Sequence, residues 1–200
     1  MIIYLLRHGQ ASWNRDQRLQ GLRDVPLNRA GIQQSRRLAE WYRNAGVRRI
    51  VSSPLLSARR TAQILAECNE RTPVMDDRLR EIDDGPWTGL RLATIESRFP
   101  DEFATWSFFS EKLRLSNGES LAAVYRRCSG ALVDLIKYDP DENVLVVSQG
   151  VINALLLCAA MGASLSCIRE YSLHNAAMSA LKVQRRKIVA VEREFHVTAE

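Results

Sequence analysis

Residues 2–6, Ile-Ile-Tyr-Leu-Leu, form an unbroken apolar run that stops abruptly at Arg7-His8-Gly9. A short run without polar alternation predicts a strand buried on both faces. Polar loop follows it. Across 30–41 the apolar positions recur at helical spacing through Ile32, Leu38, Ala39 and on to Tyr42, with Asn28 placed to cap the start and Gly46 to stop the helix. A short strand is expected at 49–52 and another helix over 54–68, since Pro54 suits a helix entry. The first third therefore reads β-α-β-α.

Between Asp83 and Gly118 the pattern loosens into Gly85, Pro86, Trp87 and Gly89, then short amphipathic pieces carrying Phe99, Phe103, Trp106, Phe108 and Phe109. This stretch predicts an excursion over one face. A long helix is expected over 119–138, with Leu121, Val124, Cys128, Leu132 and Leu135 on one stripe and Ser116 or Asn117 as its cap; Asp139-Pro140 ends it. Residues 143–147 read as a second buried strand, 151–161 as an apolar helix, and 176–183 and 188–191 as closing strands. Strands alternating with helices predict an α/β domain, a three-layer α/β/α sandwich around a mostly parallel sheet. No repeat, linker or low-complexity segment divides the chain, so residues 1–200 are expected to form one domain.

Composition narrows the function classes. The chain is 46% hydrophobic and 26% charged, enough apolar material for a sizeable core. A formal charge of +5 favours an anionic ligand, a small anionic metabolite being the expectation. The arginines are scattered, and no basic stripe interleaved with aromatics points to nucleic acid. No apolar stretch is long enough to span a membrane, and the opening run is too short for a signal peptide. Four cysteines without a CxxC pair predict reduced thiols and a cytoplasmic setting. The sequence sets no oligomeric state.

The chemistry starts where the first strand ends. An imidazole at the carboxyl end of a parallel strand lies where open α/β sheets bind ligands. A neutral imidazole can attack phosphorus, and an adjacent guanidinium can hold phosphoryl oxygens with paired hydrogen bonds, so Arg7-His8 offers a nucleophile and an anchor. By itself the dipeptide is weak evidence, because a lone histidine is more often an ordinary structural or surface residue. Its surroundings add weight. Leu-Arg-His-Gly-Gln-Ala-Ser-Trp-Asn at 6–14, then Gln20-Gly21, Asp24, Pro26-Leu27 and Gly31, resemble the opening signature of the histidine phosphatase (phosphoglycerate mutase-like) superfamily. Later blocks follow in family order: Val-Ser-Ser-Pro-Leu-Leu-Ser-Ala-Arg-Arg-Thr-Ala at 51–62, Leu-Arg-Glu-Ile-Asp-Asp-Gly-Pro-Trp-Thr-Gly at 79–89, Asn-Gly-Glu-Ser at 117–120, and Val-Leu-Val-Val-Ser-Gln-Gly-Val-Ile-Asn at 144–153.

The resemblance implies a phosphoglycerate mutase-like fold and two-step catalysis through a phosphohistidine. His8 would take the phosphoryl group, Arg7 and Asn14 would bind it, Gln20 and Gly21 would belong to the phosphate-binding loop, and Glu81 would protonate the leaving oxygen. No metal or organic cofactor is implied.

Two positions depart from the family pattern. The second block normally has an arginine before its alanine, and here that position is Ser57; Arg60, three residues on, is expected on roughly the same helical face and is the candidate replacement, the alternative being a solvated surface arginine. The fifth block normally carries a second histidine, and here Gln149-Gly150 stands in a segment one residue short, so a shifted gap would put Ser148 there instead. Glutamine donates a neutral hydrogen bond but no imidazolium charge, and serine cannot replace guanidinium. The leading expectation is a phosphatase for a small phosphorylated metabolite. Its alternatives are a binding or regulatory protein without useful turnover, and a different acid–base reaction run by His8 and Glu81. A mutase, which must retain a highly charged bisphosphate, fits the altered pocket less well. Trp87, Trp106, Phe108 and Phe109 are read either as pocket wall or as core.

Overall fold

The computed structural model describes residues 1–107, 118–137 and 142–195. In chain order the elements are β1 (Ile2–Arg7), a single helical turn α1 (Ser12–Arg15), α2 (Arg29–Asn44), β2 (Val47–Ser52), α3 (Leu56–Glu67), β3 (Val74–Met75), α4 (Leu92–Arg98), α5 (Pro100–Ser107), α6 (Leu121–Ile136), β4 (Asn143–Ser148), α7 (Gly150–Met161), β5 (Met178–Gln184) and β6 (Lys187–Phe195). Short 3₁₀ turns at Asp77–Leu79, Gly85–Trp87 and Leu165–Tyr171 join them.

One sheet runs in the order β3-β2-β4-β1-β5-β6. Its first four strands are mutually parallel, and β5 and β6 close it antiparallel. The uninterrupted apolar runs follow from burial on both faces. Along β1, Ile3 and Leu5 pack with α6 and α7, whereas Leu6 packs with α2 and α3. Neighbouring β4 divides in the same way, with Val144 and Val146 on the first side and Leu145 and Val147 on the second. Helices thus cover both faces, giving the three-layer α/β/α sandwich expected.

The helices sit close to their predicted places, with informative differences at their ends. Asn28 caps α2, its Oδ1 accepting from Gly31 N, as the sequence predicted. The cap of α6 is Ser120, whose side chain accepts from Ala123 N; the predicted caps Ser116 and Asn117 lie outside the described residues, as do Phe108, Phe109, Asp139, Pro140 and His196. Pro54 precedes α3 instead of entering it. The two-residue edge strand β3 carried no periodic signal, because both its residues are exposed.

The excursion after Asp83 makes a third, smaller cluster. Fully buried Trp87 and Ile95 are packed by Leu19, Phe99, Phe103 and Trp106, with the Trp106 ring edge-on to Trp87 at 6.2 Å. Trp87 is therefore core, and Trp106 is both packing and wall. Among the described residues no single helix is long and apolar enough to cross a membrane, and the most apolar helix, α7, is buried along most of its length. All four cysteines are free thiols, Cys128 and Cys158 being buried.

Candidate active site

The parallel strands β1 and β4 end side by side, with Arg7 in register with Ser148. Beyond that edge His8 N donates to Ser148 O at 3.0 Å, and Arg7 N to Ala177 O at 3.1 Å, so the dipeptide is fixed by backbone on both sides. The loop after His8 then presses onto the start of α2. A Cβ on Gly31 would lie 2.2 Å from Gln10 O, so only glycine permits this approach.

These strand ends open into a cavity of about 520 Å³. Arg7, His8, Asn14, Gln20, Gly21, Glu81 and Gln149 all line it, so seven of the nine positions singled out from the sequence meet at one place. Ser57 and Arg60 do not. Ser57 is buried beneath the nucleophile loop, where its carbonyl accepts from Thr61 Oγ1, which in turn accepts from Gly9 N at 3.1 Å. Thr61, four residues on from Ser57, takes the face that had been expected for Arg60. The Arg60 guanidinium is exposed and pairs with Glu67 at 3.1 Å beside a separate depression between α2 and α3. Its expected part in the cradle is corrected accordingly. His174, at the edge of β5, is exposed and bonded to Glu194.

His8 is almost wholly buried, with Nδ1 2.7 Å from Gly9 O. A carbonyl can only accept, so Nδ1 carries the proton and Nε2 keeps its lone pair. Burial, seconded by the Arg7 charge, pushes the imidazole pKa down to about 4. The ring is therefore neutral across the physiological range.

Arg7 lies beside it. Its Nη1 donates to Leu173 O at 2.6 Å, while its buried Nε has no partner among the described residues. Burial lowers its pKa, opposed by Glu81 and Glu194. A Cβ on Gly150 would come within 3.3 Å of the guanidinium carbon, so glycine there leaves room for the arginine.

Gln149 precedes the first turn of α7, and its buried Nε2 also lacks a partner among the described residues, while its Oε1 lies 3.2 Å from Ser148 Oγ. Ser148 Oγ lies 2.7 Å from Leu79 O and Ser148 does not line the cavity. Of the two candidates that sequence spacing left open, the glutamine is the one that faces the cavity.

Glu81 follows fully buried Leu79. Its Oε1 accepts from Ile82 N at 2.9 Å and its Oε2 from Val151 N at 3.3 Å. Burial raises its pKa, and these two bonds with the Arg7 and Arg127 charges offset only part of that rise. Arg127 braces the segment from α6. It donates to the carbonyls of Arg78, Arg80 and Glu81 and pairs with Glu119 at 2.8 Å. Asn14 Oδ1 accepts from Ala11 N and from Asn175 Nδ2, and Asn175 also donates to His8 O.

Sequence reading missed several of these groups. Arg18, Asp84, Ile168 and Arg169 line the same cavity, beside Trp106, which the sequence had offered as wall. Asp84 had a signal, since it sits three residues after Glu81 in a quoted motif. Arg127 and Asn175 lie in segments with no local pattern to mark them.

Comparison with known proteins agrees with this geometry. Residues 3–195 match the family model of the histidine phosphatase superfamily, branch 1. Among curated relatives, phosphoserine phosphatase 1 of Hydrogenobacter thermophilus is 33% identical, over 95% of this chain and 90% of its own length. A probable phosphoglycerate mutase of Yersinia pestis is 34% identical, over 91% and 85% respectively. Among solved structures, a mycobacterial glucosyl-3-phosphoglycerate phosphatase complexed with VO3 superposes with a TM-score of 0.83 at 30% identity, covering 90% of this chain and 92% of that one. Bacillus stearothermophilus YhfR reaches 0.90 at 27% identity, covering 98% of both chains.

Proposed function

Since this chain belongs to the histidine phosphatase superfamily, we propose that it is a phosphatase that hydrolyses a small phosphorylated metabolite through a phosphohistidine at His8. One observation carries the reading. Among the described residues, a buried neutral imidazole with its Nε2 lone pair free stands in the same cavity as two buried, unpartnered donors, Arg7 Nε and Gln149 Nε2. Unpaired buried donors are costly, and phosphoryl oxygens would satisfy both. The phosphatases among the relatives support the same chemistry.

In the first step Nε2 attacks phosphorus, the phosphorus–oxygen ester bond breaks, and Glu81 gives its proton to the departing alkoxide. In the second, water attacks the phosphorus, Glu81 takes its proton, the phosphorus–nitrogen bond breaks and inorganic phosphate leaves. Burial keeps Glu81 protonated to higher pH than an ordinary carboxylate, as the first step needs. Arg7, Asn14 and Gln149 bind the phosphoryl oxygens, with Gln20 and Gly21 at the loop beside them. Gln149 supplies hydrogen bonds without the charge of an imidazolium. We read residues 1–200 as one catalytic domain, working in the cytoplasm with its thiols reduced.

The test is intact-protein mass spectrometry after brief exposure to labile phosphodonors, beside a phosphate-release assay. Wild type gains one phosphoryl group and releases phosphate, and His8→Ala loses both, with turnover falling by ~10⁴ or more. Turnover that persists in His8→Ala, or a wild type that neither forms the adduct nor releases phosphate from a broad ester panel, overturns the proposal.

A further inference from the structure

Asp84 is the buried carboxyl in the cavity that the two-step reaction does not use. It is 3% exposed, precedes the Gly85–Trp87 turn, and lines the cavity three residues beyond Glu81. Gly21 N–H lies close enough on the opposite loop to favour its ionised form, and no cationic side chain among the described residues is ion-paired with it. Backbone packing brings the two loops together: a Cβ on Gly21 would lie 3.5 Å from Asp84 Cβ. One peptide N–H does not require a carboxyl, because an amide carbonyl accepts equally well. A carboxyl buried at this depth, with hydrogen-bonding capacity left over and facing a cavity, implies a polar group arriving from outside.

We propose that Asp84 is a specificity residue that hydrogen-bonds a hydroxyl on the leaving group, close to the ester carbon, so that the substrate is a phosphomonoester of a hydroxylated compound. The inference rests on the phosphatase reading of the same site and adds the chemistry of the leaving group.

Placement and charge both favour a hydroxyl over an ammonium. Asp84 shares the cavity with Glu81, which delivers the proton to the leaving oxygen, and is close enough for the two carboxyls to repel each other, within reach of a group beside that oxygen. Among the described residues, three guanidiniums, those of Arg7, Arg18 and Arg169, line the cavity against two carboxyls. Burial, then repulsion from Glu81 and Asp83, pushes the Asp84 pKa up to about 8. A protonated carboxyl both donates and accepts, which matches the two-way bonding of an alcohol. The field of the guanidiniums opposes a further cation.

Three matched esters test the subsite: ethyl phosphate, 2-hydroxyethyl phosphate and 2-aminoethyl phosphate. Wild type, Asp84→Asn and Asp84→Leu are compared by kcat/KM, and the same esters are titrated calorimetrically into His8→Ala with and without each Asp84 substitution. Wild type should favour the hydroxyl ester over the ethyl ester by ~10-fold, about what one buried hydrogen bond supplies. Asp84→Leu should bring that ratio to about one, and the near-isosteric Asp84→Asn should keep part of it. A ratio that Asp84→Leu leaves unchanged overturns the proposal and leaves Asp84 as a prop for the Gly21 loop. Preference for the amino ester, lost in Asp84→Asn, also overturns it in favour of an ammonium site. If wild type releases no phosphate yet binding shows the Asp84-dependent hydroxyl preference, the subsite stands and the phosphatase reading falls. If neither readout discriminates through Asp84, the subsite falls whether or not phosphate is released.

Discussion

The two ends of the cavity are built by different means. At the phosphoryl end, Arg7 and His8 are extensions of a central strand, pinned by backbone hydrogen bonds to Ser148 and Ala177. At the leaving-group end, the wall comes from the excursion and from the Leu165–Tyr171 turn, where Trp106, Ile168 and Arg169 project from short segments. A reaction shared by a family needs fixed geometry, which rigid strand ends supply. Selection among substrates needs variable chemistry, which loops accommodate without disturbing the sheet.

Substitutions can break this division. The largest change is expected for Glu81→Gln, which should lower kcat by about 10²–10⁴ for alkyl phosphates and by much less for p-nitrophenyl phosphate, whose leaving group needs no proton. A pH profile sharpens the point. His8 must be neutral, so activity is lost only as pH falls through about 4. Glu81 must be protonated, so activity declines as pH rises through its elevated pKa, and Glu81→Gln should remove that alkaline decline. An equal loss for both esters would remove Glu81 from the role of proton donor.

Next comes Gln149→Ala, with an expected fall of about 10² in kcat and weakened vanadate binding, as for a lost oxyanion donor. Wild-type vanadate affinity in this variant would show that the glutamine is a bystander. Trp106→Ala, at the other end, should raise KM by less than ~10-fold and leave kcat nearly unchanged. A collapse of kcat instead would mean that the wall also holds the catalytic groups. Asn28→Ala, the cap of α2, lies outside both ends. It should cost about 1 kcal/mol in chemical denaturation and leave the ratio between substrates untouched.

The same contrast governs what the sequence reveals. The strands β1 and β4 were legible because burial on both faces writes an unbroken apolar run, and α2 and α6 because one buried stripe writes a helical period. Arg7, His8 and Glu81 were legible through motifs anchored to strand ends and tight turns. Arg60 misled, because helical spacing counts residues without saying which face is buried; the face shared by Ser57 and Thr61 turns toward Gly9, and Arg60 turns to Glu67. Arg127 was hidden, since a helix arginine that braces three carbonyls looks like one that meets water. Gln149 and Ser148 could not be separated by spacing; in the structure the hydroxyl turns to Leu79 O and the glutamine faces the cavity.

The neighbours of β1 have a consequence for synthesis on the ribosome. β1 is made before the other strands of its sheet, yet both strands that flank it, β4 and β5, come from beyond residue 142. Their pairings span most of the chain, and such long-range contacts form slowly. A nascent chain of about 140 residues, completed in tens of seconds or less at common elongation speeds, carries the nucleophile without the strands that flank it in the sheet. His8 meets Ser148, and Arg7 meets Ala177, only after those segments leave the tunnel, so competence for chemistry waits until residues 143–177 have been made.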